Sequence, residues 1–331
     1  MRDTAFDASP GETRAVLFEG GNPVELHIWR ASQSPVGGVY DVRITSRSAA
    51  HDYARLSDGD EVILPTAAGQ HEGTAHRVKI IRQQICEPGK VKLAVAAPSD
   101  EALSNDETLA ALWRAELSAR CDRVIDAPPE FDDYFDIAAS GRSDASDATL
   151  WFERTKAGLV FDVDGSGDAA AINHAAATEI ARLLRLFQIG GAAMIDFVGM
   201  ENKAARLTVG ATFDEASAAD PRGYERTSIN GYGLMQIIRA KPGPSILDTL
   251  FGTRRVSLSD ETLILALLRT ASRAQGAGVR RCVTTHALAA QLALPAWQPL
   301  IAQAARQAGA ALEIVADASA RGYGHVHVTQ V

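Results

Sequence analysis

Cysteine is scarce. Cys86, Cys121 and Cys282 lie far apart and form no C-x-x-C pair, which excludes a disulfide framework and a cysteine zinc site. They read as buried or incidental thiols. No run of eighteen apolar residues occurs, and the start, MRDTAFDASPGETR, lacks the apolar core of a signal peptide. A cytoplasmic protein with no membrane partner is expected. Positive charge is also short, with 33 Lys and Arg against 41 Asp and Glu for a formal net charge of −8, which argues against nucleic-acid binding by bulk electrostatics. Any such binding must be local, shaped by a groove and by metal. The chain is nonetheless 46% hydrophobic and only 22% charged over 331 residues, enough for a globular core and two or three domains.

What is present reads as a succession of small units. TRAVLFEGGNPVELHIWR alternates apolar residues on both sides of a Gly-Gly-Asn-Pro turn, so residues 1 to 35 are expected to form an opening hairpin. From 36 to 98, GGVYDVRITSR, YARLSDGDEVILP, HRVKIIRQQI and KVKLAVAAP are short β-rich runs between turn residues, a spacing that suggests a small OB-like barrel. Residues 99 to 148 are expected to be an irregular connector, with a helix at 106 to 119 and GRSDASDA as a flexible linker. The stretch 149 to 255 alternates strands and helices, and 256 to 331 reads as a small α/β domain whose first helix carries Asp260 and Glu261 in its first turn.

The segment LVFDVDGSGD, residues 159 to 168, carries the clearest chemistry. Asp162 and Asp164 stand two apart at the polar end of an apolar run, so on a strand both carboxylates face one side and can address one divalent cation. The Gly-Ser-Gly loop that follows would let the backbone approach a phosphate closely. Two families own such a string. In haloacid dehalogenase-type phosphatases the first Asp, here Asp162, is the nucleophile, with Mg²⁺ beside it. The string also resembles the I-D-V-N/D-x-G strand end of the ribonuclease E/G family.

The residues that follow favour the second owner. Ile172, Ala176, Ile180, Leu183, Leu184 and Phe187 fall at helical spacing, and GGAAMIDFVGM then reads as a buried strand. Strand, helix and strand in that order make a βαβ unit, which brings Asp162 and Asp196 to the same edge of parallel strands. ARLLRLFQIGGAAMIDFVGM resembles the ribonuclease E/G segment in which Q-L-R-L-R-x-L/I-G-G leads into I-I-D-F-I-D-M. TSINGYGLMQIIRAKPGPSILDTL resembles the family's G-L-x-E-M-T/S-R-x-R stretch, and ETRAVLFEGGNPVELHIWR its opening hairpin. GGVYDVRITSR and YARLSDGDEVILP are similar to strands of its embedded RNA-binding barrel. The phosphatase reading needs a further acidic pair downstream, and Asp196 has no second carboxylate beside it.

The resemblance implies a fold and a set of roles. The fold is α/β multi-domain, with the barrel inserted near the N-terminus, a central DNase I-like nuclease domain and a small α/β C-terminal domain. Asp162 and Asp196 match the carboxylates that hold the catalytic Mg²⁺, Asp164 the residue that positions the attacking water or the scissile phosphate, and Arg239 an arginine near the active site. Tyr53 takes the place of a base-stacking aromatic of the barrel, while Ile63, where a second is usual, cannot stack. Asn230, Lys241 and the pair Arg254 and Arg255 are expected to help line an RNA path. Three departures matter: no cysteine stands near 250 to 260, so the family's zinc-linked tetramer is not expected; the insert that senses a 5′-monophosphate is absent or reduced; and Phe187 replaces the second Arg of R-L-R.

The implied activity is Mg²⁺-dependent endonucleolytic cleavage of single-stranded RNA, giving 5′-phosphate and 3′-hydroxyl ends, with a homodimer as a possible assembly. A non-catalytic RNA-binding relative and the phosphatase remain the alternatives. Blander roles stand beside each residue. Asp162 and Asp164 can cap a turn, Arg239 can serve a structural ion pair, and Tyr53 can be a half-exposed strand aromatic. Asp196, between Ile195 and Phe197, is expected to be buried and to need a partner, either a metal or Arg185 or Arg239. His325 and His327 alternate on one strand with no third ligand nearby, which suits a solvent-facing strand better than a metal.

Overall fold

The computed structural model describes residues 1–30, 33–57, 59–65 and 71–329, so Asp58 of the YARLSDGDEVILP run and Gln330 and Val331 of the expected C-terminal domain lie outside it. The chain divides into two compact units. One gathers Met1–Ala5, Ala15–His27 and Gln33–Val256, and the other Phe6–Arg14, Ile28–Ser32 and Ser257–Val331. Among the described residues no helix is long and apolar enough to cross a membrane.

The N-terminal strands exceed the expected hairpin. Arg2–Ser9, Glu12–Glu19 and Asn22–Arg30 form a meander, and Arg123–Ile125 adds a parallel strand on its far side. RDTAFDAS has mixed polarity that hides its strand character, yet its backbone is paired on both sides. Gly20 and Gly21, both at positive φ, close the second turn.

In the first unit, Val39–Arg47, His51–Leu56, Glu61–Pro65, Ala75–Arg82 and Ala94–Pro98 make a closed five-stranded barrel, consistent with the OB-like barrel expected at 36 to 98. Alternate residues fill it: Val42, Ile44, Ala54, Leu56, Val62, Leu64, Val78 and Ile80 are buried. A small hairpin, Ile85–Glu87 with Lys90–Lys92, projects between the last two barrel strands.

The expected irregular connector is ordered. It holds a helix at Asp106–Ala119, capped by the Asn105 side chain, and a second at Asp133–Ser140 that ends on Gly141 in the left-handed region. GRSDASDA is not a linker: Arg142–Ala145 pairs antiparallel with Ala148–Arg154 across a two-residue turn. Its polar side chains sit at the edge of a sheet, which gives it the composition of a loop.

The central sheet has six strands in the order Arg142–Ala145, Ala148–Arg154, Leu159–Gly165, Gly191–Asp196, Leu234–Arg239 and Tyr224–Arg226. The helix Ala169–Leu186, capped by Asp168, carries the chain between the two parallel strands, and Lys203–Ser217 packs against it. Leu150, Phe152, Leu159, Phe161, Val163, Ala193, Ile195, Met235 and Ile237 are buried on one face of the sheet. Their alternating neighbours point to the other face, which is largely open.

The second unit packs Asp260–Arg273, His286–Leu292 and Gln298–Ala308 on the sheet formed by Val279–Thr284, Leu312–Ala316 and His325–Thr329. A buried carboxylate organises its polar interior. Glu12 meets Arg14 at 2.8 Å, Arg30 at 2.7 Å and Arg269 at 3.2 Å. Burial alone would raise the Glu12 carboxyl, but the guanidiniums outweigh it and hold it at about 2. Cys282 lies in the core of this unit, where burial pushes its thiol up to about 11, while Cys86 and Cys121 of the first unit are half-buried.

Candidate active site

Three carboxylates share the open face of the central sheet. Asp162 and Asp196 are register partners across the parallel strands, and Asp164 follows Asp162 two residues on, so all three point the same way. All three are exposed. Asp196 is therefore not the buried carboxylate expected from its neighbours: Ile195 and Phe197 turn into the core and leave the carboxylate between them outside. Its two proposed protein partners are engaged elsewhere, Arg185 with Glu19 and Arg239 with Asp220. Among the described residues, no Lys, Arg or His forms an ion pair with Asp162, Asp164 or Asp196. The Asp162 carboxyl is raised above the ordinary range, first by partial desolvation and then by repulsion from Asp164 and Asp196.

This donor set suits a hard divalent cation in part. Asp162 and Asp196 offer facing oxygen donors, the chemistry Mg²⁺ prefers, with room for the waters it usually keeps. Among the described residues no group of three or more His, Cys, Asp or Glu side chains is placed to hold a metal ion. The remaining positions would fall to water and to substrate oxygens.

Aromatic residues flank the carboxylates, and sequence reasoning missed them. Trp151 is the cross-strand partner of Asp162 and is 45% exposed, with the Arg142 guanidinium 5.3 Å from its ring centroid. Tyr232, 87% exposed, lies in the turn that leads into Leu234, the register partner of Asp196. Trp151 was legible through its register, because it alternates with buried Leu150 and Phe152 just as Asp162 alternates with Phe161 and Val163. A cavity of about 580 Å³ opens beside Asp162, lined by Trp151, Glu153, Leu247, Phe251 and Arg255. Asn173 is a further missed residue. It is fully buried on the crossover helix, donates from Nδ2 to the Val198 carbonyl at 2.8 Å, and so ties down the loop that follows Asp196.

The other expected site residues separate. Arg239 is not at the carboxylates. It pairs with Gly191 at the opposite end of the strand pair from Asp196, five residues or about 17 Å away, and on the buried face. Its buried guanidinium donates to the Leu184 and Ile189 carbonyls and to Asp220, a structural role on the face away from the carboxylates. Asn230 does lie near Asp196, where its Oδ1 accepts from the backbone N–H of Tyr232 and Leu234 and shapes the turn. Lys241 sits at the base of the sheet between Asp248 at 3.0 Å and Glu87 at 3.5 Å.

Tyr53 is half-buried on the barrel, opposite Ile63, and packs edge-on against His51 at 4.8 Å. Phe187, at the position of the missing arginine, is fully buried against Phe152. Arg255 pairs with Glu153 at 2.9 Å. His325 and His327 belong to the second unit, where their Nε2 atoms lie 2.8 Å apart on an exposed strand face.

Residues 145–242, the span that holds all three carboxylates, match the model of the Ribonuclease E/G family. Ribonuclease E of Nostoc sp. (strain PCC 7120 / SAG 25.82 / UTEX 2576) is 39% identical over 80 residues, covering 24% of this chain and 12% of that protein. Ribonuclease E of Synechocystis sp. (strain ATCC 27184 / PCC 6803 / Kazusa) is 34% identical over 80 residues, again 24% and 12%. The chloroplastic Ribonuclease E/G-like protein of Arabidopsis thaliana is 31% identical over 109 residues, 30% of this chain and 11% of its own length. The chain thus spans only a small part of the relatives it matches.

Proposed function

Because this chain belongs, through residues 145–242, to the ribonuclease E/G family, we propose that it is an endoribonuclease acting on single-stranded RNA with Mg²⁺ held by Asp162 and Asp196. The observation that carries the reading is the unneutralised acidic face. A surface of three carboxylates repels a polyanion unless a cation stands between them, so carboxylates that serve RNA chemistry imply a bound divalent ion. Such an ion polarises a phosphodiester and lowers the pKa of a bound water.

The chain's own groups do the rest. Asp164, displaced two residues from the pair, accepts a hydrogen bond from the attacking water and orients it. Trp151 and Tyr232 offer π-faces on either side of the carboxylates, where bases next to the scissile phosphate stack and hold the RNA on the sheet. Tyr53 gives a further stacking surface on the barrel. The resulting ends are a 5′-phosphate and a 3′-hydroxyl. The central domain is read as DNase I-like, and the phosphatase reading loses its support with the family match.

The test is incubation of the purified protein with a single-stranded RNA oligonucleotide and Mg²⁺, beside the Asp162→Asn and Asp196→Asn variants. Cleavage by the parent, lost in both variants and in EDTA, is expected. If the parent cleaves with no divalent metal supplied, the metal reading fails. If the parent cleaves under no metal condition but still binds the oligonucleotide, the protein is a non-catalytic RNA-binding relative.

A further inference from the structure

Lysine is rare in this chain: of 33 basic residues, 27 are arginine and six are lysine. Four of the six, Lys90, Lys92, Lys156 and Lys241, line a single cavity of about 270 Å³ at the base of the central sheet. Lys90 and Lys92 come from the hairpin that projects from the barrel, Lys156 from the turn before the Asp162 strand, and Lys241 from just beyond the Arg239 strand. Arg154 also lines the cavity.

Among the described residues, two carboxylates, Glu87 and Asp248, line the cavity with these five cations. Arg154 and Lys241 both meet Asp248, at 3.1 and 3.0 Å. Lys90, Lys92 and Lys241 all converge on Glu87, at 3.1, 2.6 and 3.5 Å. Partial burial would raise the Glu87 carboxyl, but the lysines hold it at about 2, so it stays ionised and still leaves them in excess. Lys156 has no ion-pair partner among the described residues. Gly190 and Gly191 form part of its wall.

An excess of three positive charges in one concavity, on a chain of net charge −8, is a demand for an anion. Lysine ammoniums are mobile point charges, and both they and the arginine fork bind the oxygens of phosphate, whose multiple negative charge an excess of several cations can match. We propose that this cavity is a phosphate-binding site, separate from the carboxylate face. Leu159 on its wall lies three residues before Asp162, about 10 Å along the strand. A phosphate held there is therefore within reach of a chain whose other end lies on the carboxylates, and it can equally be the phosphate of a free nucleotide.

The experiment titrates the full-length protein with inorganic phosphate, with a fluorescent nucleoside diphosphate and with a labelled single-stranded RNA. The variant is Lys90→Gln/Lys156→Gln, both side chains being exposed, with Lys203→Gln, a lysine far from the cavity, as control. Saturable phosphate binding that weakens about tenfold in the double variant and is unchanged in the control is expected. If RNA is the natural source, its affinity falls in parallel and phosphate competes for it. If a nucleotide is, the diphosphate responds and the RNA does not. Affinities for all three probes that are equal in parent and double variant overturn the proposal. Binding is read without turnover, so an Asp162→Asn protein that cannot cleave serves equally well, and failure of the nuclease reading stays distinguishable from failure of this one.

Discussion

Removing the Trp151 ring should cost RNA affinity and little else. The indole lies beside Asp162 across one strand pairing, 45% exposed, and Arg142 occupies one flank at 5.3 Å. One face is left for a base. Stacking on an aromatic contributes ~1–3 kcal/mol per base, and a single available face points to the lower half of that range, about tenfold in affinity. The Arg142 contact adds at most about 1 kcal/mol to folding, because both groups are solvated. Trp151→Ala is therefore expected to weaken binding of a labelled single-stranded RNA about tenfold in fluorescence anisotropy. The rate at saturating RNA should stay within about twofold, and Trp151→Phe should recover most of the loss. An alanine variant that binds as tightly as the parent, or a phenylalanine variant no better than alanine, refutes the stacking argument.

Arg239→Ala should act on folding rather than on turnover. It leaves Asp220 and two buried carbonyls without their cation, a loss of about 3–5 kcal/mol visible as a lowered melting temperature. Activity per folded molecule measured in the cold should persist, and a selective fall in kcat with unchanged melting would return Arg239 to the reaction. Gly158→Ala should destabilise the turn before the Asp162 strand, since φ is +150° and the added Cβ would stand 2.2 Å from the Ala192 carbonyl oxygen; a variant as stable as the parent by urea titration contradicts that geometry.

The pH dependence of stability should carry the mark of Glu12. Its folded carboxyl lies at about 2 against an ordinary 4.5, so its contribution is complete above about pH 4.5 and is lost as pH falls toward 2. The difference is worth about 3 kcal/mol. The gap in thermal stability between parent and Glu12→Gln should shrink across that window, and a gap independent of pH tells against the network.

Elements were legible where one period dominates. Asp106–Ala119, Asp260–Arg273 and the strand, helix and strand around Asp162 carry clean alternation or helical stripes, and the register that brings Asp162 to Asp196 follows from them. RDTAFDAS and GRSDASDA failed because pairing on neighbouring backbone, rather than side-chain polarity, makes them strands. Arg239 failed for a different reason. Its place after the family's motif says nothing of which face of the strand it occupies, and parity puts it with Met235 and Ile237 on the buried side. The lysine cavity was invisible because its walls come from four separate stretches of chain.

The carboxylate face has a cost that outlasts any single reaction cycle. Three like charges held side by side, with no ion pair to Lys, Arg or His among the described residues, store unfavourable free energy in the folded state, and repulsion from Asp164 and Asp196 adds to the desolvation that raises the Asp162 carboxyl. Neutralising them should make the fold more robust, while an ion that binds them should do the same reversibly, by mass action. A search for heat-tolerant variants conducted without divalent metal would therefore tend to erase the very residues that give the sheet its chemistry.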